Sequence, residues 1–408
     1  MRIALYQNLP SGGAKRAVYE WVSRLAKVHH LEAFTLSIAD HDFCDIRPFV
    51  ATYHNLDYEP HRLFRSPLGR LNQLQRWRDL DTLTQLGRRI AQNIDKKGFD
   101  VVFANPCLGT LIPLFLNFVQ TPAVYYLHEP FGQQMTHQLQ YPELKLNSWR
   151  ERMNNYDPLI PLYYHRLNDL RLDSLRHSTS ILANSQFTQQ QVQCNHNINA
   201  QVCYYGVNNQ SFYPLPDTPK ENSVISVGEL TPRKGFEFLI NSLALIPDTQ
   251  RPCLKLVCNM EDPNHRRFIE NLANQHQVNL QILTQLNTDQ LRLEYNRARL
   301  CVYSPVAEPF GLVPLEAMAC GLPVVGVAEG GVRESVIDGL NGFLVERDAA
   351  KFAVAVTTLL TAPALCTQYG YQARQYVLEK WTWDRSTTQL EQFLVNASIG
   401  KKYIGREM

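Results

Sequence analysis

The sequence predicts an α/β chain of two doubly wound domains, each a parallel sheet covered by helices. Three observations predict it. Short apolar runs alternate with longer stretches of helical periodicity along the whole chain. Glycine-containing loops join strand to helix near the start of both halves. A proline-rich stretch at Pro214, Pro216 and Pro219 separates the two series. At 408 residues, and ~150 residues per domain, two or three domains are expected.

Composition narrows the class. The chain is 45% hydrophobic and 19% charged, enough to bury a sizeable core, and its net charge of +2 gives no argument for nucleic acid. The nine cysteines contain no Cys-x-x-Cys pair, which fits reduced thiols in a cytoplasmic protein. Met1–Tyr6 is too short an apolar run for a signal peptide, and the run at Leu111–Val119 is far short of the ~20 residues that span a bilayer.

Ile3–Tyr6 reads as a buried first strand, Ser11-Gly12-Gly13 as a loop and Ala14–Leu25 as a helix. Gly12 and Gly13 would let backbone N–H groups approach a phosphate, although a Gly-Gly pair alone is more often a tight turn. Thr35–Ile38 is a second strand. His61–Lys97 carries nine Lys/Arg against three Asp, a net +6, with Leu71, Leu74, Trp77, Leu83, Leu86, Ile90 and Ile94 at helical spacing. A basic amphipathic helix suits an anionic membrane surface, but an apolar stripe must first serve the fold, and packing on the sheet is the favoured reading. Asp79-Leu-Asp81 has the form of a metal motif; within a helix its carboxylates point apart, so no metal site is expected.

Asp100–Ala104 and Pro122–Leu127 are strands. His128 and Glu129 stand at the C-terminal end of the latter, the side on which open parallel sheets bind ligands. Gln133–His177 is polar and helical, and Ser180–Thr188 is a strand running into a helix. Beyond the linker, Val224–Val227 is a strand, Gly228–Gly235 a loop containing Arg233 and Lys234, and Phe236 begins a helix. A basic pair at the mouth of such a loop can hold a diphosphate, though alone it is as often a solvated turn. Cys253–Cys258 and Leu280–Leu283 are further strands.

The densest pattern follows the apolar strand Arg299–Ser304. Pro309 and Gly311 keep Glu308 in a loop, Pro314 suits a first helical turn, and Gly321 with Pro323 stops the helix after about two turns. Glu308 would then reach a ligand from the loop and Glu316 from the first turn, beside free N–H groups at Gly311–Val313. Pro323–Val327 is a strand, Glu329–Glu334 a turn, and Asp338–Val345 a hairpin-like closing segment. Trp381-Thr-Trp383 opens the final helix.

Glu308 and Glu316, with Pro-Phe-Gly between them and Ala-Met-Ala-Cys-Gly-Leu-Pro behind, resemble the signature of the retaining glycosyltransferases of family 4. The resemblance is strong from about Gly228 to Trp383 and weaker, though in register, before that. It implies a GT-B fold, two Rossmann-like domains facing across a cleft. Residues 1–215 would form the acceptor-side domain, joined by a crossover helix at about 384–408, and 216–383 the nucleotide-sugar domain. It implies that Glu308 contacts donor-sugar hydroxyls, Glu316 the ribose, and His128 the sugar. Arg233 and Lys234 would neutralise the leaving diphosphate, and the Gly12-Gly13 loop and Phe310-Gly311-Leu312 would line the donor. His128, Glu308, Arg233 and Lys234 are the catalytic set so implied; no metal or cofactor is implied. The partners so implied are a nucleotide-sugar donor (UDP or GDP) and a saccharide or lipid-linked acceptor. Apart from the resemblance, the basic segment 61–97 leaves peripheral membrane contact as the second reading of that helix, and the small net charge points to no nucleic acid. Two departures stand out. Glu229 occupies a position where many members have Arg, and Asn259–Pro263 replaces a glycine-rich turn. The rival readings are a nucleotide-sugar epimerase or phosphorylase on the same fold, and a degenerate binding subunit. A dehydrogenase is disfavoured, since neither half has the dinucleotide fingerprint.

Overall fold

The computed structural model describes residues 1–64, 72–131, 159–259 and 262–404. The reading of Gln133–Pro158, with Trp149 and Tyr156, falls outside the described residues, as do Arg65, Arg70 and Leu71 of the basic segment.

Two all-parallel sheets carry the fold. The first contains β1 Arg2–Asn8, β2 His30–Leu36, β3 Thr52–Leu56, β4 Val101–Cys107, β5 Ala123–Leu127, β6 Ser180–Ala183 and β7 Gln201–Val202, in the order β3-β2-β1-β4-β5-β6-β7. The second contains β8 Ser223–Val227, β9 Cys253–Cys258, β10 Leu280–Thr284, β11 Leu300–Tyr303, β12 Val324–Val327 and β13 Gly342–Val345, in the order β10-β9-β8-β11-β12-β13. In each sheet the strand order reverses beside the first strand, the switch point of a doubly wound sheet, where loops diverge and leave a crevice.

The helices are α1 Gly13–Leu25, α2 Asn72–Lys97, α3 Leu159–His177, α4 Gln186–His196, α5 Phe236–Ala244, α6 Pro263–Gln275, α7 Thr288–Arg297, α8 Leu312–Ala319, α9 Val332–Ser335, α10 Ala349–Thr361, α11 Pro363–Lys380 and α12 Trp383–Ile404. The central strands β1, β4, β5, β8, β9, β11 and β12 are buried on both faces over most of their length, which is why they read as continuous apolar runs. In α2 the stripe Leu80, Leu83, Leu86, Ile90 and Ile94 is buried against the first sheet, while Arg88, Arg89 and Lys96 face out. The apolar face of the basic helix thus serves the fold. No single helix among the described residues is long and apolar enough to cross a membrane.

The final helix ties the halves together. It packs on α1, β4 and β5 of the first sheet. Trp21 in α1 donates to Ser386 Oγ at 2.8 Å, and Ser386 donates to the Tyr204 carbonyl at 2.5 Å. Trp21, Trp383, Tyr205 and Phe310 form a chain of ring contacts between the domains, with centroids 5.1–6.0 Å apart.

Three expectations need correction, and one strand was not expected. The strand read at Thr35–Ile38 begins at His30 and ends at Leu36, because the charge of Glu32, which breaks the apolar run, is met by Lys97 at 2.8 Å and His54 at 2.7 Å. Its neighbour β3, Thr-Tyr-His-Asn-Leu, is an edge strand too polar to stand out. The segment read as a hairpin is a parallel edge strand, β13 on β12, reached through the short helix α9. Helix α8 starts at Leu312, so Glu316 lies in its second turn.

Candidate active site between the two sheets

The loops at the C-terminal ends of the two sheets meet. Ser185, after β6, donates to the Pro309 carbonyl at 2.5 Å. Glu334, in α9, accepts from the backbone N–H groups of Gln186 and Phe187 at 2.9 and 3.0 Å, and so caps α4 of the other domain. Gly13 faces Leu312 closely enough that a Cβ on Gly13 would stand 3.3 Å from Leu312 Cδ1. The N-termini of α1 and α8 therefore confront one another across the crevice, each preceded by a glycine with positive φ, Gly12 and Gly311. Two sets of unpaired N–H groups and two positive helix ends converge there, an arrangement that favours an anion.

The basic pair completes it. Lys234 Nζ lies 2.9 Å from Glu308 Oε2, and Arg233 Nη2 lies 3.7 Å from the same oxygen. The Lys234 stem passes over Gly228, where a Cβ would stand 3.2 Å from Lys234 Cδ. Burial pushes the Glu308 carboxyl up, but Lys234 and Arg233 together outweigh it and hold the group below the usual range. Gly330 and Gly331 wedge the loop in place: a Cβ on Gly330 would lie 2.3 Å from the Glu308 carbonyl, and one on Gly331 2.3 Å from that of Pro309. Glu229 is exposed and lies near Arg233 without displacing it from Glu308.

Glu316 sits deeper and is buried. Its Oε1 accepts from Arg16 Nη1 at 2.6 Å and its Oε2 from the Tyr295 hydroxyl at 3.1 Å. The loops after β1, β8 and β11 thus bring together Gly12, Gly13, Arg233, Lys234, Glu308, Gly311, Leu312 and Glu316.

Two side chains do not join them. The His128 ring is only 4% exposed, packed against Tyr126 at 4.7 Å and near Trp21 at 6.3 Å. Its Nε2 faces Asn105 Oδ1 at 3.0 Å and its Nδ1 the Tyr205 hydroxyl at 2.5 Å, so Nε2 carries the proton and Nδ1 accepts. Burial lowers its pKa to about 3. These partners hold the ring at the C-terminal end of β5. Phe310 is 2% exposed within the interdomain ring contacts, so only its backbone borders the crevice. The apolar environment won both side chains.

Sequence reasoning missed Arg16 and Tyr295, and it placed Glu129 at the strand end without giving it a role. Arg16 follows the Gly-Gly loop by three residues, the one signal available. Glu129 lies across the crevice, 3.5 Å from Arg233. Tyr295 reads as an ordinary core aromatic. Among the described residues no cluster of three His, Cys, Asp or Glu is arranged to hold a metal ion.

Comparison with known proteins places this geometry. Residues 209–376 match the family model described as glycosyl transferases group 1. Alpha-maltose-1-phosphate synthase of Mycobacterium tuberculosis is 30% identical over 203 residues, 44% of this chain and 52% of that protein, so the match spans about half of that relative's length. Sucrose-phosphate synthase from Thermosynechococcus elongatus superposes with a TM-score of 0.73 at 23% identity, covering 96% of this chain and 98% of that one. HepE of Anabaena, solved in complex with UDP and glucose, superposes at 0.68 with 18% identity, covering 97% and 100%. Residues 209–376 are thus similar to the group 1 glycosyltransferases, and the two Rossmann-like domains have the GT-B fold.

Proposed function

We propose that the chain is a retaining glycosyltransferase that moves a sugar from a nucleotide-sugar donor to an acceptor hydroxyl of a saccharide or lipid-linked saccharide. The observation that carries this reading is the placement of Arg233 and Lys234 on Glu308, opposite the Gly12-Gly13 loop and the N-terminus of α8. In the reaction the sugar ring gains positive charge and the departing diphosphate gains negative charge. Arg233, Lys234 and the two helix N-termini supply the countercharge, which makes transfer independent of a metal ion; one such preorganised donor is worth ~3–4 kcal/mol in the transition state. Glu308, ionised and anchored by Lys234, accepts from donor-sugar hydroxyls. Glu316 accepts from the ribose. A leaving-phosphate oxygen takes the acceptor proton, so no protein base is needed and the neutral, buried His128 is compatible with the chemistry.

The UDP and glucose in the Anabaena relative's complex make a UDP-sugar the first donor to try, with a GDP-sugar second. Nine unpaired cysteines suit a reducing, cytoplasmic setting. Peripheral contact with anionic lipid would rest on the outward basic residues of α2 and its approach, by charge alone; binding to anionic vesicles in low salt and release in high salt would test it.

The decisive assay is release of nucleoside diphosphate from each donor with a panel of acceptors and no added metal, followed by NMR of the product's anomeric configuration. Acceptor-dependent release with retention supports the reading. An altered nucleotide sugar formed without acceptor would replace it with the epimerase, and an inverted product would overturn the retaining mechanism.

A further inference from the structure

Arg16 and Glu316 belong to different domains and are 300 positions apart in the chain, yet their side chains are in direct contact. Arg16 lies in the first turn of α1, with its guanidinium near the ring of Phe43 at 5.7 Å. Both oxygens of Glu316 already hold a protein donor, Arg16 on one and Tyr295 on the other. Each carboxylate oxygen can accept a second hydrogen bond, so a ribose hydroxyl can add without displacing either.

Resting on the donor-site reading above, we propose that Arg16 is a positioning residue of the nucleoside subsite. From the opposite domain it holds Glu316 as an oriented carboxylate, so that recognition of the ribose depends on the two domains being closed.

Among the described residues, Arg16 is the cation in ion-pair contact with Glu316. The groups around the pair are Tyr295 from α7, Cys301 from β11 and Cys320 from α8, with Glu20 of α1 and Cys44 on the far side of Arg16. Tyr295 donates one neutral hydrogen bond, and the thiols of Cys301 and Cys320 are themselves pushed up by burial. Burial already moves the Glu316 carboxyl above its ordinary range, with Arg16 and Tyr295 pulling the other way. Without the guanidinium, only the Tyr295 hydrogen bond opposes desolvation and the group takes up a proton at higher pH. A protonated Glu316 must donate one of its positions and is the poorer acceptor for a diol.

The test is calorimetric binding of UDP to the full chain from about pH 5.5 to 8.5, for the unaltered protein, Arg16→Gln, Arg16→Lys and Glu316→Gln. Each variant is read relative to the unaltered chain, which cancels titration of the nucleotide's own phosphate. Arg16→Gln is expected to bind nearly as well as the unaltered chain at the alkaline end and to lose about tenfold in affinity per pH unit below the new pKa. Arg16→Lys should recover most of the loss. In a Glu316→Gln background, Arg16→Gln should add no pH dependence. Tyr295→Phe, which removes the weaker donor, should shift the profile the same way by less, and it serves if Arg16→Gln fails to fold. A loss by the same factor at every pH, or no loss, overturns the proposal while leaving the donor site standing. If the unaltered chain binds neither UDP nor GDP, the donor-site reading fails and Arg16 loses this role with it.

Discussion

Lys234 Nζ and Glu308 Oε2 stand 2.9 Å apart at the mouth of the second sheet, with the Lys234 side chain 14% exposed and that of Glu308 16%. The contact does two things. It gives a largely desolvated carboxylate its countercharge, and it parks an ammonium where the diphosphate of a donor would leave. Removing the cation exposes both. Lys234→Ala is expected to lower kcat by about 100- to 1000-fold with a smaller change in donor KM. It should also move the acidic limb of the kcat profile to higher pH, because burial is then opposed by the more distant Arg233 alone. Steady-state rates across pH with the active donor check both.

The Glu308 loop is held by backbone contact with the Gly330-Gly331 turn. Gly330 has φ +69° and no room for a Cβ beside the Glu308 carbonyl. Gly330→Ala is expected to displace Glu308 from Lys234, costing more in turnover than in global stability. Comparison of kcat/KM with the urea midpoint separates the two. Equal loss in both would mean that the turn serves the fold alone.

His128 makes a prediction about stability rather than rate. Its folded pKa of about 3 lies below the unfolded value. Stability from this group is therefore present above ~pH 6.5 and is lost as pH falls below it, by about 1.4 kcal/mol per unit. His128→Gln should flatten that dependence, measured by urea unfolding between about pH 6.5 and 5. The pH–rate profile of the unaltered chain should carry no limb from His128.

Phe310 tests the packing between domains. It is buried against Tyr205 and Trp381, with centroids at 5.1 and 5.6 Å. Phe310→Ala should destabilise the chain by ~3–5 kcal/mol, seen in urea unfolding, and should not mimic the pH shift expected of Lys234→Ala.

The sequence carried most of the sheet and the site, and the failures share a cause. Fully buried parallel strands such as β9 and β11 are apolar without interruption, so pattern alone locates them. His30–Leu36 was misplaced because Glu32 is paid for by Lys97 and His54, partners distant in sequence. β13 reads as part of a hairpin in the sequence because turn residues at Asp338-Gly339 precede it, and no local signal says which strand it pairs with. At the site, the Glu308–Glu316 spacing with its Pro and Gly punctuation was legible in one dimension. Arg16 on Glu316 and Glu129 on Arg233 were not, since both arise only when the two domains face each other. His128 and Phe310 were assigned by position in a pattern, and position does not say whether a side chain turns toward the crevice or the core.

The central claim is that Arg233 and Lys234 form a diphosphate site. Calorimetry with UDP and with uridine, on the unaltered chain and on the Arg233→Ala/Lys234→Ala double variant without metal, tests it most directly. The account predicts that UDP binds at least ~100-fold more tightly than uridine, two charge-assisted contacts at ~1.5–3 kcal/mol each, and that the double variant loses most of that difference. A double variant that keeps the full preference for UDP, or an unaltered chain that shows none, would contradict it.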